Sequence, residues 1–237
     1  YADIRYEIRK DTVVAFNGKE LSQIGSNSTD GYVVRAMDKG GLASVAFTQP
    51  ADAAKAVRSA VENASLIGKN RKIPVRFAST EIIRDTFIPD LKEDPREVPV
   101  AEKLELVRGY NAIPLKHEKI AMTNMAYREV CREKYFLSTE GTEIREDLIT
   151  TQIAGIITSR DGSLIQNIRV GTGGSDGFSS IRNQEKLFEE RTAIAVDLLK
   201  ARPVKGGVYN CIFNPALTGV FTHEAFGHFS EADIIET

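Results

Sequence analysis

The stretch Gln152-Ile153-Ala154-Gly155-Ile156-Ile157-Thr158-Ser159-Arg160-Asp161-Gly162-Ser163-Leu164-Ile165-Gln166-Asn167-Ile168-Arg169-Val170 decides the fold. Two short apolar runs, Gln152 to Ile157 and Leu164 to Val170, flank the turn signal Arg160-Asp161-Gly162-Ser163. Runs of this length bounded by Asp-Gly chemistry read as paired strands. A second turn signal, Ser138-Thr139-Glu140-Gly141, precedes them, and β-like text extends back to Lys119. The spacing predicts an antiparallel meander over Lys119 to Val170, although Ala121 to Tyr135 is also compatible with a helix.

Outward from the meander, strands and helices interleave. Asp3-Ile4-Arg5-Tyr6-Glu7-Ile8-Arg9 alternates polar and apolar residues, as a half-buried strand does. After a short break Thr12 to Phe16 reads as a further strand, ended by the turn pair Asn17-Gly18. Gly31 to Met37 and Leu42 to Phe47 flank the hairpin turn Asp38-Lys39-Gly40-Gly41. Gln49 to Leu66 predicts a helix with an apolar face of Ala53, Ala54, Val57, Ala60, Val61 and Ala64, Thr48 as N-cap and Pro50 in its first turn. Lys72 to Ala78 predicts another strand. Residues 89 to 99 hold three prolines and six charges and read as a linker, followed by a short helix over Val100 to Tyr110. Ile181 to Arg202 predicts a long amphipathic helix, Gly206-Gly207 a break, and Val208 to Phe213 a buried strand. The strand-rich, helix-punctuated order gives an α+β fold class, with mixed or antiparallel sheets and flanking helices. The expected organisation is an α+β domain over 1–90, a linker over 91–99, and a central β-meander with helices over 100–237.

Composition excludes several function classes. Of 237 residues 42% are hydrophobic, enough for one large core or two small ones. The balance of 31 basic against 33 acidic residues, scattered rather than striped, gives no pull toward nucleic acid or an anionic membrane. No stretch approaches the roughly 18 apolar residues of a membrane span, and no signal peptide is visible. Two widely spaced cysteines, Cys131 and Cys211, form no disulfide framework and point to a reducing, cytoplasmic compartment. A start at Tyr1 rather than Met, and a stop at Thr237, predict a piece of a longer gene product.

Chemistry concentrates near the C-terminal end, in a helical segment opened by Pro215. Two of the three histidines fall in His223-Glu224-Ala225-Phe226-Gly227-His228. Neutral imidazoles are the commonest zinc ligands, and a glutamate beside such a metal can take a proton from water. The familiar HExxH pattern sets its histidines four apart on one helical face; here they are five apart. On a regular helix five residues turn the two side chains roughly 140° apart. Convergence on one ion therefore requires a π-type bulge or an early helix end, and Gly227 is the residue most permissive of either. The alternative at this point is a surface helix with two incidental histidines.

The run from Ala193 to Asp233 settles between them by resemblance. Ala195-Val196-Asp197-Leu198-Leu199, Asn214-Pro215-Ala216 and His223-Glu224-Ala225-Phe226-Gly227-His228-Phe229-Ser230-Glu231-Ala232-Asp233 resemble the TldD/PmbA family, as do Ala2-Asp3-Ile4-Arg5-Tyr6-Glu7 and Gly31 to Phe47. The resemblance implies a soluble prokaryotic zinc peptidase acting on small or unfolded polypeptides, of the motif-bearing TldD type. It implies His223 and His228 as zinc ligands and Glu224 as general base. Glu231 and Asp233 fall where the family carries acidic residues and are candidates for orienting a ligating histidine. The third ligand it implies is a cysteine in a C-terminal domain, beyond Thr237. It also implies pairing, as a homodimer or with a motif-less paralogue. Two other readings stand beside the peptidase: a metal-dependent hydrolase of a non-peptide amide, and a non-catalytic regulator of the gyrase-modulator type, a label the family has long carried.

Other features carry less. The glycine-rich run Gly171 to Gly177 lacks both the Gly-Lys-Ser/Thr ending of a P-loop and dinucleotide-binding spacing, and reads as a flexible connection. His117, between Lys116 and Glu118, reads as a solvated surface residue. Cys131 and Cys211 read as small buried hydrophobes.

Overall fold

The computed structural model describes residues 1–231 and divides them between two compact units, one spanning Tyr1–Ala201 and the other beginning at Arg202. The first unit is built on one sheet. Its strands are β1 (Ala2–Asn17), β2 (Glu20–Asp38), β3 (Gly41–Phe47), β4 (Arg84–Phe87), β5 (Ile120–Ser138), β6 (Glu143–Asp161) and β7 (Leu164–Gly174). They lie in the order β3-β2-β1-β5-β6-β4, with β7 also paired to β6. All neighbours are antiparallel except β4, which runs parallel to β6 over four residues. The meander expected over Lys119 to Val170 is therefore present as β5, β6 and β7, and Ala121 to Tyr135 is strand. The sheet also crosses the Pro-rich segment, because β1 pairs with β5 along its length.

The strands are longer than their alternation suggests. The break between Arg9 and Thr12 does not exist, and β2 starts at Glu20, well before Gly31. The mostly polar residues Gln23 to Asp30 have weak strand preference, yet each finds a register partner on β1, and only Ser22, at a bulge, does not. Pairing overrides propensity here. The Asn17-Gly18 turn is fixed from outside as well: Asn111 donates to the Gly18 carbonyl at 2.7 Å and accepts from Thr123 Oγ1 at 2.7 Å.

Every long helix of this unit lies on one face of the sheet. Helix α1 (Ala53–Asn70) buries Ala56, Ala60 and Ala64 against Val34 and Ala36. Ala60 and Ala64 belong to the expected stripe, whereas Ala56 does not, and Val57 and Val61 are about two-fifths exposed. It enters through a 3₁₀ turn at Pro50–Asp52 whose N-cap is Gln49, without a side-chain cap from Thr48. Contact is close enough to exclude side chains: a Cβ on Gly41 would stand 2.1 Å from the Ala64 carbonyl oxygen. Helices α2 (Val100–Leu115) and α3 (Glu185–Asp197) place Val107, Tyr110, Phe188 and Ala195 over Val14, Phe16, Met125, Tyr127, Ile153 and Ile157. Val14 and Ile4 both occupy even positions of β1, so α1 and the α2–α3 layer share a face. The other face carries Arg5, Glu7, Arg9, Arg132, Lys134 and Glu146.

Several expectations fail for identifiable reasons. Lys72 to Ala78 is irregular, and the strand nearby is β4. The helix expected from Ile181 starts only at Glu185: Phe178–Ile181 form a 3₁₀ turn, and Asn183 has φ 57°, which no helix accommodates. The glycine run is no free connection, since β7 continues to Gly174. Gly173 (φ +133°) passes so close to β6 that a Cβ would lie 2.1 Å from the Thr151 carbonyl oxygen. Cys131 is buried as expected, and burial pushes its thiol up to about 12.

Within the second unit Val208 to Phe213 is irregular rather than a buried strand, having no pairing partner among the described residues. A strand without a partner leaves its backbone groups to water. Cys211 is accordingly exposed. Helix α4 (Pro215–Thr222) follows, capped by Asn214, whose side chain accepts from the Leu217 N–H at 2.9 Å, with Pro215 in the first turn.

Candidate metal centre

Helix α4 runs into the motif without an α-helical continuation. Residues His223–Gly227 form a π turn, in which the His228 N–H reaches the His223 carbonyl, and a 3₁₀ turn over His228–Ser230 ends the segment. The extra residue in the turn offsets the five-residue spacing, and both imidazoles come to one side. Their ring centroids lie 4.6 Å apart at 68°. Gly227 does not contribute an unusual torsion, as its φ of −58° is ordinary helix. Its bare Cα instead faces the His223 ring, where a Cβ would sit 3.5 Å from Nδ1.

His223, Glu224 and His228 each offer a donor atom, and these atoms all lie within 4.8 Å of one another. Two imidazoles and one carboxylate match the preferences of a zinc-type cation, so the residues present fit the group. Glu224 Oε2 stands 3.5 Å from His228 Nε2, and Glu231 Oε1 stands 3.0 Å from His228 Nδ1. With Glu231 on the Nδ1 side, Nε2 faces Glu224 and is the ring nitrogen turned toward the other two donor residues. The structure therefore brings together four of the residues singled out from sequence. Asp233 lies outside the described residues. Cys211, twelve positions before His223, is not part of the donor cluster.

Sequence reasoning missed a second ionisable cluster, inside the first unit. Lys103 of α2 donates to Glu129 of β5 at 2.5 Å, the Tyr127 hydroxyl donates to the same carboxylate, and Cys131 Sγ lies 3.7 Å from it. Both charges are nearly fully buried. Burial and the adjoining carboxylate raise the Tyr127 pKa, so the hydroxyl stays a donor. The available signal was position: Glu129 falls in the alternation of Met125, Tyr127 and Cys131 on β5, and Lys103 stands four residues before Val107 on α2.

A family model described as PmbA/TldA metallopeptidase domain 1 matches residues 2–64, and one described as the PmbA/TldA metallopeptidase central domain matches residues 93–202. A metalloprotease of Methanothermobacter thermautotrophicus is 30% identical over 241 residues, covering 99% of this chain and 51% of the relative. A metalloprotease of Synechocystis is 27% identical over 237 residues, with 99% and 50% covered. The chain thus spans about half the length of the curated relatives it matches. Among solved structures, TldE from Thermococcus kodakarensis superposes with a TM-score of 0.60 at 17% identity, over 82% of this chain and 44% of that one. At that identity the likeness concerns the fold. No helix among the described residues is long and apolar enough to cross a membrane.

Proposed function

From the premise that the chain belongs to the PmbA/TldD metallopeptidase family, we propose that it carries the ligand helix of a zinc-dependent peptidase hydrolysing small or unfolded polypeptides. The observation that carries this reading is the convergence of His223, Glu224 and His228 across a π turn. His223 and His228 would hold the ion through ring nitrogens, with Glu231 orienting His228. Zinc held there would supply Lewis acidity toward a carbonyl and would lower the pKa of bound water to about 7. Glu224 would take the proton of the attacking water and return it to the leaving amine, the work of a general base turned acid. A catalytic zinc usually has three protein ligands. The described residues offer two histidines, so this chain alone is expected to bind zinc weakly and to be inactive, with a cysteine of the longer protein as third donor.

The relatives' names support peptide hydrolysis over a regulator without catalysis, and a base next to the ligands supports it too, since a structural ion needs none. We further propose a cytoplasmic, paired protein, either homodimeric or joined to a motif-less paralogue. The test is Glu224→Gln in the full-length protein, with zinc content and cleavage of an unfolded polypeptide measured together. Retained zinc with hydrolysis lost is the expected result. Near-normal turnover would remove Glu224 from the mechanism.

A further inference from the structure

Glu224 Oε2 stands 3.5 Å from His228 Nε2. That is too long for a good N–H···O hydrogen bond, and the ring of His228 is hydrogen-bonded on its other nitrogen, to Glu231. Among the described residues no lysine or arginine pairs with Glu224 either. The separation is the one that two donors of a single tetrahedral ion keep: bonds of about 2.0–2.2 Å set the edge of the tetrahedron at about 3.3–3.6 Å.

The π turn accounts for this placement. Adding one residue to a turn cuts the rotation per residue from about 100° to about 80°. On such a turn Glu224 lies about 80° round from His223, and His228, five residues on, lies about 40° round, between the two. On an α-helix the three would spread over about 140°. The widening that gathers the imidazoles therefore carries the carboxylate into the same sector, and the three donor atoms all lie within 4.8 Å of one another. The Glu224 side chain is exposed, so it is free to close the remaining distance.

We infer that Glu224 is itself a zinc ligand in this chain, completing a tripod with His223 and His228, and that it is freed to act as base only when the longer protein supplies its own third donor. The inference rests on the peptidase reading. A catalytic zinc has three protein ligands and one open position, so a carboxylate that stayed on the ion beside a third donor would close the site. One side chain then serves two states: a closed tripod that holds the ion without hydrolysis, and an open site in which the carboxylate is released. Binding by this chain remains weak, because ligating carboxylates are ordinarily oriented by hydrogen bonds of their own, and Glu224 has none among the described residues.

The test compares zinc affinity, by chelator competition at neutral pH, in this chain and in the full-length protein. The chain carries Cys211→Ser throughout, so that its exposed thiol cannot act as a donor. Glu224→Gln is expected to weaken zinc binding by this chain at least about tenfold, since a lost donor costs no less than a lost outer partner, and to leave the affinity of the full-length protein unchanged. Cobalt(II) in place of zinc gives a second readout: its visible absorption reports the donor set, and should change on Glu224→Gln in this chain but not in the full-length protein. Equal affinity of this chain with and without the carboxylate would overturn the inference. So would an equal loss in the full-length protein, which would make Glu224 a permanent ligand. His223→Ala separates the inference from the reading beneath it. If His223→Ala abolishes binding by this chain while Glu224→Gln does not, the ligand role of Glu224 fails and the metal centre stands; if neither alters binding, both fail.

Discussion

His228 donates its backbone N–H to the carbonyl of His223, five residues back, and that single bond marks the widened turn bringing two imidazoles together. A π turn absorbs one surplus residue and no more. One alanine inserted between Glu224 and Ala225 sets the histidines six apart, beyond what the turn corrects. Zinc affinity of the full-length protein should then fall by more than the roughly 10–100-fold that loss of an outer partner costs. Competition against a chromogenic chelator measures it, and unchanged affinity would show that the pair does not act together.

Glu231 reaches the Nδ1 side of His228 at 3.0 Å. Glu231→Ala should weaken zinc binding by about 10–100-fold without unfolding the protein, because the carboxylate orients a ligand rather than acting as one. Glu231→Gln, which keeps an acceptor oxygen but not the charge, should recover part of the loss. Equal affinity for wild type and Glu231→Ala would leave the contact without a role at the metal.

The meander and the motif were legible in sequence because both are local. The turn at Arg160-Asp161-Gly162-Ser163 joins β6 to β7, and the five-residue histidine spacing asks for the irregular turn that the backbone has. What escaped was tertiary. Gln23 to Asp30 are strand only because β1 lies beside them, and Val208 to Phe213, apolar enough for a strand, has no partner among the described residues. The α1 stripe was displaced because Gly41 and Gly68 draw the helix down onto the β2–β3 turn, selecting the alanine row Ala56, Ala60 and Ala64.

The two thiols should separate kinetically. Cys211 is exposed, whereas Cys131 is buried beside Glu129 with its pKa pushed up to about 12. Thiolate is the reactive form, so at pH 8 native protein should release one equivalent with a disulfide reagent and a second only in denaturant. Two fast equivalents would contradict the burial of Cys131.

Glu93 is held below its ordinary pKa by hydrogen bonds from Arg182, which also face Glu102. A depressed folded-state pKa means that the contribution is complete above the unfolded value, about 4.3, and is lost as pH falls through the folded one. Glu93→Gln should therefore lower the melting temperature at pH 7, and the two proteins should converge in the acid range. A constant difference down to pH 2 would assign the effect to packing.

Lys103 and Glu129 offer the sharpest test of the core. They pair at 2.5 Å with both side chains almost wholly buried, tying α2 to β5. Removing one partner strands the other charge, and such losses cost about 3–5 kcal/mol. Lys103→Met should destabilise the first unit by that amount, read from urea midpoints at constant slope. Replacing both, as Lys103→Met with Glu129→Leu, removes the charge pair and leaves the Tyr127 hydroxyl as the main orphan, a penalty of about 1–3 kcal/mol. Adding Tyr127→Phe should therefore bring the triple variant close to wild type, more stable than Lys103→Met alone. Were the triple variant no better than the single one, the cluster would be contributing net stability beyond mutual compensation, and the buried pair would have to be counted among the forces that hold α2 in place.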